Sequence, residues 1–482
     1  MDFGPLFRNE ELGPDDYLYG RKGPWPQPSP DHPHGEAYAV IHLPFVEQLD
    51  WWFHVGLRYV VSLGLTPWMF LKAFFMGGLK PVSDQKFHEI LTNTMMSKFI
   101  TPKLDEEDYE NFKELMKQGE SYVITDLQAV RTVKAYKGLY VCPTKTLMRE
   151  VGHEEYEVVG IYVFKTKALL TPEDGQAWEL AKYFVLQGGA ICATLVVHPN
   201  LHFPLDSINA ITKTALPKKH ILFKLLKPHL RFTLMLENAV LTFKTSVIRN
   251  KKWMSYAPYP GAYEGLRDLL VEGFRGIPGN ESYPPYHFPL TPPKVYGKYG
   301  DFQNAYYEVI YSFVKSVLKN VKSDDVHVLN WADYIAHHVP GFPKGKDIFK
   351  GDTFYQCITS YIWSVTIGHS IDHYNYAQQS VQEIPVRLRQ SPPKKGDAMI
   401  SRKNLVTTID QMKYLMCMKM FFGPTNVTRL IDCDYDFTGD HNKEYKKIVT
   451  EFKSQLLELE KKLDSKGLKY IPLNEIAASI QY

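Results

Sequence analysis

The chain has 482 residues, 44% of them apolar and 14% aromatic, enough to bury a large core and to exclude a disordered protein. Its 56 Lys plus Arg nearly balance 53 Asp plus Glu, so the net charge of +3 argues against a nucleic-acid partner. The five scattered cysteines argue against a disulfide framework or a Cys-x-x-Cys metal site and favour a reducing compartment.

The amino-terminal region is rich in Pro, Gly and Asp. We predict an extended arm over residues 1–36 and one domain over residues 37–482. The first twenty residues carry acids and prolines where a signal peptide needs a basic start and an apolar run. We therefore expect an intracellular, cytoplasmic protein.

The most apolar stretch is Tyr59–Leu79. Pro67 and Lys72 interrupt it, so it falls short of the ~18 uninterrupted apolar residues that a membrane-spanning helix needs. It predicts a buried helix pair. The alternative is an aromatic-rich, amphipathic contact of residues 51–79 with a membrane surface, which would make the protein a peripheral membrane protein.

The rest of the chain reads mainly as helix. Apolar spacing predicts two helices between Phe87 and Gly119, and β-rich runs then predict a small sheet within residues 121–164. Helical spacing returns over Asp301–Leu318 and over Glu444–Leu463, which closes with Gly467 as a stop signal. The predicted fold is a mainly α-helical bundle with a small β-sheet subregion.

Two pairs of histidines carry the spacing of one helical turn. His198 and His202 lie in VVHPNLHFPLD, where two prolines must kink or interrupt a helix. His369 and His373 lie in YIWSVTIGHSIDHYNY and would leave one helix face with Cβ atoms about 6 Å apart. A single such pair more often consists of ordinary polar or core histidines. Two pairs in one helical domain could enclose an ion, and a set of nitrogens with at most one oxygen suits iron or manganese.

Several stretches, in unchanged order, resemble a lipoxygenase catalytic domain. Trp178–Lys182, WELAK, is similar to the family's W-x-L-A-K signature ahead of its first two histidine ligands. Leu216–Leu234, LPKKHILFKLLKPHLRFTL, resembles LP-x-x-HP-x-x-KLL-x-PH-x-RFT. Further similar stretches are Asp324–Pro343, Ser391–Gly396 and the terminal YIPLNEIAASIQY. The resemblance runs from about residue 121 to 482 and implies a minimal, catalytic-domain-only form without the amino-terminal β-sandwich of plant and animal members.

The resemblance implies a metal centre. Its ligands would be His198, His202, His369, His373 and the main-chain carboxylate of the last residue, Tyr482. Counting from Lys182 leaves a second alignment open, in which His198 takes the second position and Ala193 the first. Only three residues separate the first two histidines, which resembles fungal, manganese-using members and implies an ordinary α turn there. The implied cofactor is non-heme iron, with manganese as the alternative.

The resemblance also implies residues around the metal. The family's hydrogen-bonding glutamines fall on Thr194 and Tyr376, which would tune the ligands. The expected pocket residues are Val240, or Ala239 after a shift of one residue, with Phe203, Ile362 and Trp363. A carboxylate ligand further requires that the tail Ile471–Tyr482 be buried, with Ile476 and Ile480 as anchors, although ordinary termini fray.

The implied activity is that of a dioxygenase, which abstracts hydrogen from a polyunsaturated fatty acid and adds O₂ to give a lipid hydroperoxide. One alternative is a lipoxygenase-fold oxygenase or hydroperoxide-converting enzyme that acts on a different unsaturated or phenolic substrate. Another is a non-catalytic protein that binds lipid or a membrane surface through Trp51–Phe75 and lysines such as Lys218, Lys219, Lys224 and Lys227. Metal content and oxygen uptake separate the three.

Overall fold

The computed structural model describes residues 18–20, 39–42, 49–152, 155–233, 240, 244–423, 428–437 and 442–480. These residues form a mainly helical protein with a small antiparallel sheet, which confirms the predicted fold class. The predicted arm, residues 1–36, lies outside the described residues except for Leu18–Gly20 (β1). This strand pairs antiparallel with Ala39–His42 (β2).

A five-stranded antiparallel sheet flanks the helices. Its strands follow chain order: Ile100–Thr101 (β3), Tyr122–Asp126 (β4), Thr144–Gly152 (β5), Glu155–Val163 (β6) and Ala168–Leu170 (β7). The three longest strands lie within the predicted region 121–164, while the two short edge strands lie outside it. All of β4 is buried, so the sheet packs into the protein rather than standing apart.

The helices account for most of the remaining described chain. The α-helices are Leu57–Gly64 (α1), Thr66–Met76 (α2), Asp84–Thr92 (α3), Glu106–Phe112 (α4), Gln176–Cys192 (α5), Phe203–Ala215 (α6), Ile221–Leu226 (α7), Tyr263–Arg275 (α8), Gly297–Leu318 (α9), Val326–His338 (α10), Gly345–Ile348 (α11), Thr353–Trp363 (α12), His369–Ala377 (α13), Arg402–Leu405 (α14), Thr408–Cys417 (α15) and Asn442–Ser465 (α16). Widened π turns occur at Trp52–Gly56, Ala193–Val197, Ser364–Gly368 and Met418–Phe422. Tighter 3₁₀ turns occur at Met95–Phe99, Gln128–Thr132, Pro172–Asp174, His198–Leu201, Lys227–Leu230, Val247–Arg249, Leu430–Asp432 and Leu473–Glu475. The helices predicted from apolar spacing correspond to α3, α4, α9 and α16.

Helix α5 is the centre of the core. Every residue from Ala177 to Cys192 except Glu179 is buried, because the helix is apolar on all sides. Its buried cation, Lys182, is paired with Asp84 at 2.7 Å and also donates to the carbonyl of Val82. This helix leads directly to the first histidine pair.

The helix pair predicted to be buried is instead largely exposed, so that prediction is wrong. Helices α1 and α2 contact the protein through a narrow face that includes Val55 and Ala73. Phe53, Trp68 and Phe75 point to solvent. Because the segment is apolar on every side, its pattern does not indicate which face would be covered.

The tail beyond α16 is buried as far as the structure describes it. Ile476 and Ile480 are fully buried, which confirms their predicted role as anchors. The N–H of Leu430 donates to the carbonyl of Ile476 at 2.8 Å, and the N–H of Ala477 donates to Ser370 Oγ at 3.0 Å. The last residue, Tyr482, lies outside the described residues.

We expect Ile476→Ala to lower the free energy of unfolding by about 2–5 kcal/mol, because it removes a fully buried side chain and leaves a cavity. Leu457→Ala, which truncates an exposed leucine on α16, is the control and should change it by no more than about 0.5 kcal/mol. Urea unfolding followed by circular dichroism measures both. Equal losses would show that the tail is not anchored.

Candidate metal centre

The first histidine pair lies where helix α5 loses its regular ladder. The helix widens into the π turn Ala193–Val197 and then tightens into the 3₁₀ turn His198–Leu201, before α6 begins at Phe203. The prolines after each histidine have no N–H to donate, so an uninterrupted α-helix cannot form here. The interruption was predicted, but the ordinary α turn between the histidines was not correct. The irregular turn brings the rings of His198 and His202 to 4.7 Å between centroids.

The second pair follows another widened turn. Helix α13 begins at His369, directly after the π turn Ser364–Gly368. His369 and His373 are one α turn apart, and their ring centroids lie 4.2 Å from each other. This confirms that both rings leave one face of the helix.

The two pairs meet. His202 Nε2 lies 2.9 Å from His198 Nε2 and 3.2 Å from His369 Nε2, and His373 Nε2 lies 3.2 Å from His198 Nε2. All four ligand nitrogens lie within 4.8 Å of one another. Nitrogens bound to one ion at roughly 2.1 Å and at right angles are about 3.0 Å apart, so the spacing fits a shared metal ion. The four histidines could hold one.

Burial keeps these imidazoles neutral. It lowers the pKa values of His202, His369 and His373 well below the usual range, and the neighbouring histidines of the cluster lower them further. Only neutral imidazole has a lone pair for a metal. The site therefore presents ligand-ready nitrogens at neutral pH.

A buried carboxylate holds one of the rings. Asp372 Oδ2 lies 3.4 Å from His198 Nδ1, and Asp372 Oδ1 accepts hydrogen bonds from Lys98 Nζ at 2.6 Å and from the Tyr299 hydroxyl. Burial alone would raise the pKa of Asp372, but Lys98 and His198 outweigh it and hold that pKa well below its usual range. The carboxylate is thus charged, and it favours the His198 tautomer whose Nε2 lone pair faces the cluster.

Sequence reasoning missed this network. The available signal was an acid inside the apolar run of α13, between the two histidines, since a buried carboxylate needs a partner. That signal identifies Asp372 but not its partners, because Lys98 lies 274 residues away and Tyr299 lies on α9.

The residues predicted to tune the ligands do not bond to them. Thr194 Oγ donates to the carbonyls of Ala190 and Ile191 within its own helix, and it accepts from the Tyr259 hydroxyl. Tyr376 is buried, with its ring 4.2 Å from that of Phe422. Both shape the surroundings of the cluster.

An apolar cavity of about 90 Å³ adjoins the histidines. Among the predicted pocket residues, Phe203 and Val240 line it, Ala239 lies outside the described residues, and Ile362 and Trp363 do not belong to its described lining. Other lining residues are Thr194, Leu195, Val247, Ile248, Tyr259, Leu270, Phe421 and Phe422. The Phe422 ring lies 5.0 Å from that of His373, so it forms the wall next to the cluster.

Two other histidines have structural partners. His229 is buried, which lowers its pKa to about 4, and it contacts the carbonyl of Ala478 at 2.6 Å and the Tyr435 hydroxyl at 3.1 Å. His220 caps helix α7 by accepting from the N–H of Leu222. As predicted, neither belongs to the cluster.

Comparison with solved structures shows the lipoxygenase fold. The Delta413-417:GS LOX matches with a TM-score of 0.72 and 15% identity over 95% of this chain and 79% of that one. Coral 8R-lipoxygenase matches with a TM-score of 0.67 and 16% identity over 94% and 77%. The manganese lipoxygenase of Gaeumannomyces graminis matches with a TM-score of 0.70 and 14% identity over 97% and 96%. No protein-family model and no curated protein sequence matches the chain. At such identities the likeness establishes the fold alone.

The buried ion pair of Lys98 and Asp372 can be tested by removing its charges singly and together. Their side chains are 12% and 3% exposed. We expect Lys98→Met to cost about 3–5 kcal/mol, because it leaves a buried carboxylate without its cation, and we expect the double variant with Asp372→Asn to recover part of that loss. Urea unfolding measures both.

The matched control is Lys103→Met, which breaks the exposed pair with Glu281 and should cost no more than about 1 kcal/mol. A double variant less stable than Lys98→Met alone would show that the Asp372 charge is not what Lys98 stabilises.

Proposed function

We propose that the protein is a non-heme metal dioxygenase, which abstracts hydrogen from a polyunsaturated fatty acid and adds O₂ to give a lipid hydroperoxide. The observation that carries the proposal is the convergence of four imidazoles beside an apolar cavity, within a lipoxygenase fold. The Delta413-417:GS LOX has been crystallised with arachidonate, which supports this class of substrate.

The proposed ligands are the four clustered histidines and the main-chain carboxylate of Tyr482 as the last residue. The contact between Ala477 and Ser370 supports the fifth ligand, because it fixes the tail beside His369. Tyr482 follows Ala477 by five residues, and five residues span at most roughly 17 Å. The carboxylate is thus within reach of the cluster.

The proposed metal is iron, and manganese is the alternative that the short spacing of the first pair and the manganese lipoxygenase neighbour support. When bound, the metal supplies one-electron chemistry that amino acids lack. The chain itself orients His198 through Asp372 and excludes water through apolar side chains such as Leu195 and Ile248. A dry site of this kind protects radical intermediates from side reactions.

The size of the cavity favours a second candidate. Its volume of about 90 Å³ is well below the ~300–1,000 Å³ typical of pockets for drug-sized ligands. A lipoxygenase-fold oxygenase or hydroperoxide-converting enzyme with a smaller unsaturated or phenolic substrate fits that volume directly. A long fatty acid requires movement of a wall residue, and Phe422 is placed to provide it.

Metal analysis tests the ligands. We expect about one iron or manganese per chain in the wild type and a loss of at least about tenfold in metal affinity for His369→Ala, because each imidazole supplies one of few bonds. His229→Ala, which removes a buried histidine outside the cluster, should keep the metal. A chain extended beyond Tyr482 tests the fifth ligand in the same way. Equal metal in the His369 and His229 variants would refute the assignment, and no metal in the wild type would favour the non-catalytic lipid-binding protein.

Oxygen uptake divides the two enzymatic candidates. We expect consumption of O₂ with linoleate or arachidonate, and a faster rate in Phe422→Ala because the variant enlarges the cavity beside His373. Product analysis by mass spectrometry should show addition of two oxygen atoms. Uptake confined to small phenolic substrates, unchanged by the Phe422 variant, would support the second candidate instead.

A further inference from the structure

Exposed apolar side chains concentrate on one bent helix pair, Leu49–Gly64 and Thr66–Met76. In the described part of the chain, 12 of the 19 large apolar side chains that are exposed lie on it. They are Leu49, Trp52, Phe53, Leu57, Val60, Val61, Leu63, Trp68, Phe70, Leu71, Phe74 and Phe75, which we call the apolar face. Soluble monomers seldom expose apolar patches beyond a few hundred Å², so such a face indicates an interaction site.

The two sides of the pair are the reverse of those of an ordinary surface helix. The side toward the protein buries Val55 and Ala73 but also the hydroxyl of Ser62, and Arg58 turns inward to donate to the carbonyl of Gly423 at 2.7 Å. The side toward solvent carries the large apolar residues. In water the opposite arrangement is the stable one, so the outer medium for this face is apolar.

The composition of the segment fits lipid. No acidic residue occurs between Trp51 and Ser83, whereas Lys72 and Lys80 are cationic and exposed. Aromatic residues with flanking cations are typical of helices at the boundary between headgroups and acyl chains. By length and composition the pair passes as a broken membrane span, bent by 51°. Helix Gln176–Lys213 passes the same test, but 94% of its apolar window is buried in the protein, which makes it a core helix.

The apolar face also backs onto the wall of the cavity. On the inner side of α1, the ring of Tyr59 lies 6.1 Å from that of Phe421, edge to face. Phe421 and its neighbour Phe422 line the cavity beside the histidines. A surface in contact with the apolar face is therefore separated from the candidate metal centre by one helix and one layer of aromatic rings.

We propose that the apolar face docks onto a lipid bilayer, with the helix pair lying in the interfacial layer. The docking itself stands apart from the proposed function. Its use as an entry for an apolar substrate rests on that function and on the shared wall at Phe421. The pair does not need to cross the bilayer, because its inner side is occupied by the protein.

Charge makes a smaller contribution. A surface cleft beside Leu49 and Phe53 contains Lys218, Lys224 and Lys227, but it also contains Asp432, Asp434 and Asp436. The cleft is nearly neutral as a whole. We therefore expect docking to depend on apolar insertion more than on anionic lipid.

Vesicle binding tests the proposal on the full chain. We expect the protein to float with phosphatidylcholine vesicles and to bind about equally when phosphatidylserine is added. The double variant Phe74→Ser/Phe75→Ser should lower the partition coefficient by at least about tenfold, because two exposed rings no longer enter the bilayer. These side chains are 59% and 81% exposed, so the variant should fold normally. Tyr109→Ser, at 55% exposure on α4, is the matched control and should bind like the wild type.

Quenching by lipids brominated on their acyl chains gives a second readout. We expect the fluorescence of the wild type to fall and that of Trp68→Phe to fall less, because Trp68 would sit near the acyl chains. Failure of the wild type to bind either vesicle would overturn the proposal, as would binding only to phosphatidylserine that disappears in salt. Concentration-dependent dimers that the double variant abolishes, without vesicle binding, would assign the face to a second copy. Since flotation does not require a metal, His369→Ala should still bind, which separates failure here from failure of the proposed function.

Discussion

The structure depends on one constraint: four imidazole nitrogens must lie within 4.8 Å of one another inside an apolar interior. Protonation of such a cluster would bring like charges together out of water, and the lowered pKa values of His202, His369 and His373 are the result. The surrounding elements serve that convergence. Two helices lose their regular ladders just before the histidines they carry, and the Asp372 carboxylate, held by Lys98 and Tyr299, fixes one ring from behind.

The same arrangement ties the ends of the chain to its centre. The segment Met95–Phe99 contributes Lys98 to the network of Asp372, and the tail donates from Ala477 to Ser370 on the same helix. Helix α13 is therefore fixed by segments nearly four hundred residues apart, on top of its own packing. This explains why a tail that would ordinarily fray is buried, since its position is set by contacts with the histidine-bearing helix rather than by its own helical propensity.

Much of this was predictable from the sequence, and what was not has physical reasons. Helical spacing gave α9 and α16 to within a few residues, and the two histidine pairs pointed to one cluster, because these patterns are local. The partners of Asp372 were not predictable, since an acid does not reveal which distant cation will neutralise it. The exposure of α1 and α2 was missed because a segment that is apolar all round carries no directional signal. The π and 3₁₀ turns at His198 result from competition between two prolines and the packing of α5, which propensity does not resolve.

The widened turns have a consequence for how this family of sequences can change. A π turn holds one residue more than an α turn over the same rise, so loss of a single residue from Ala193–Val197 would restore a regular helix and rotate everything after it by about 100°. His198 would then leave the cluster while the helix itself survived. The same holds for Ser364–Gly368 and His369. Insertions and deletions in these turns, more than substitutions, therefore separate chains that keep the architecture and the centre from chains that keep the architecture and lose the centre.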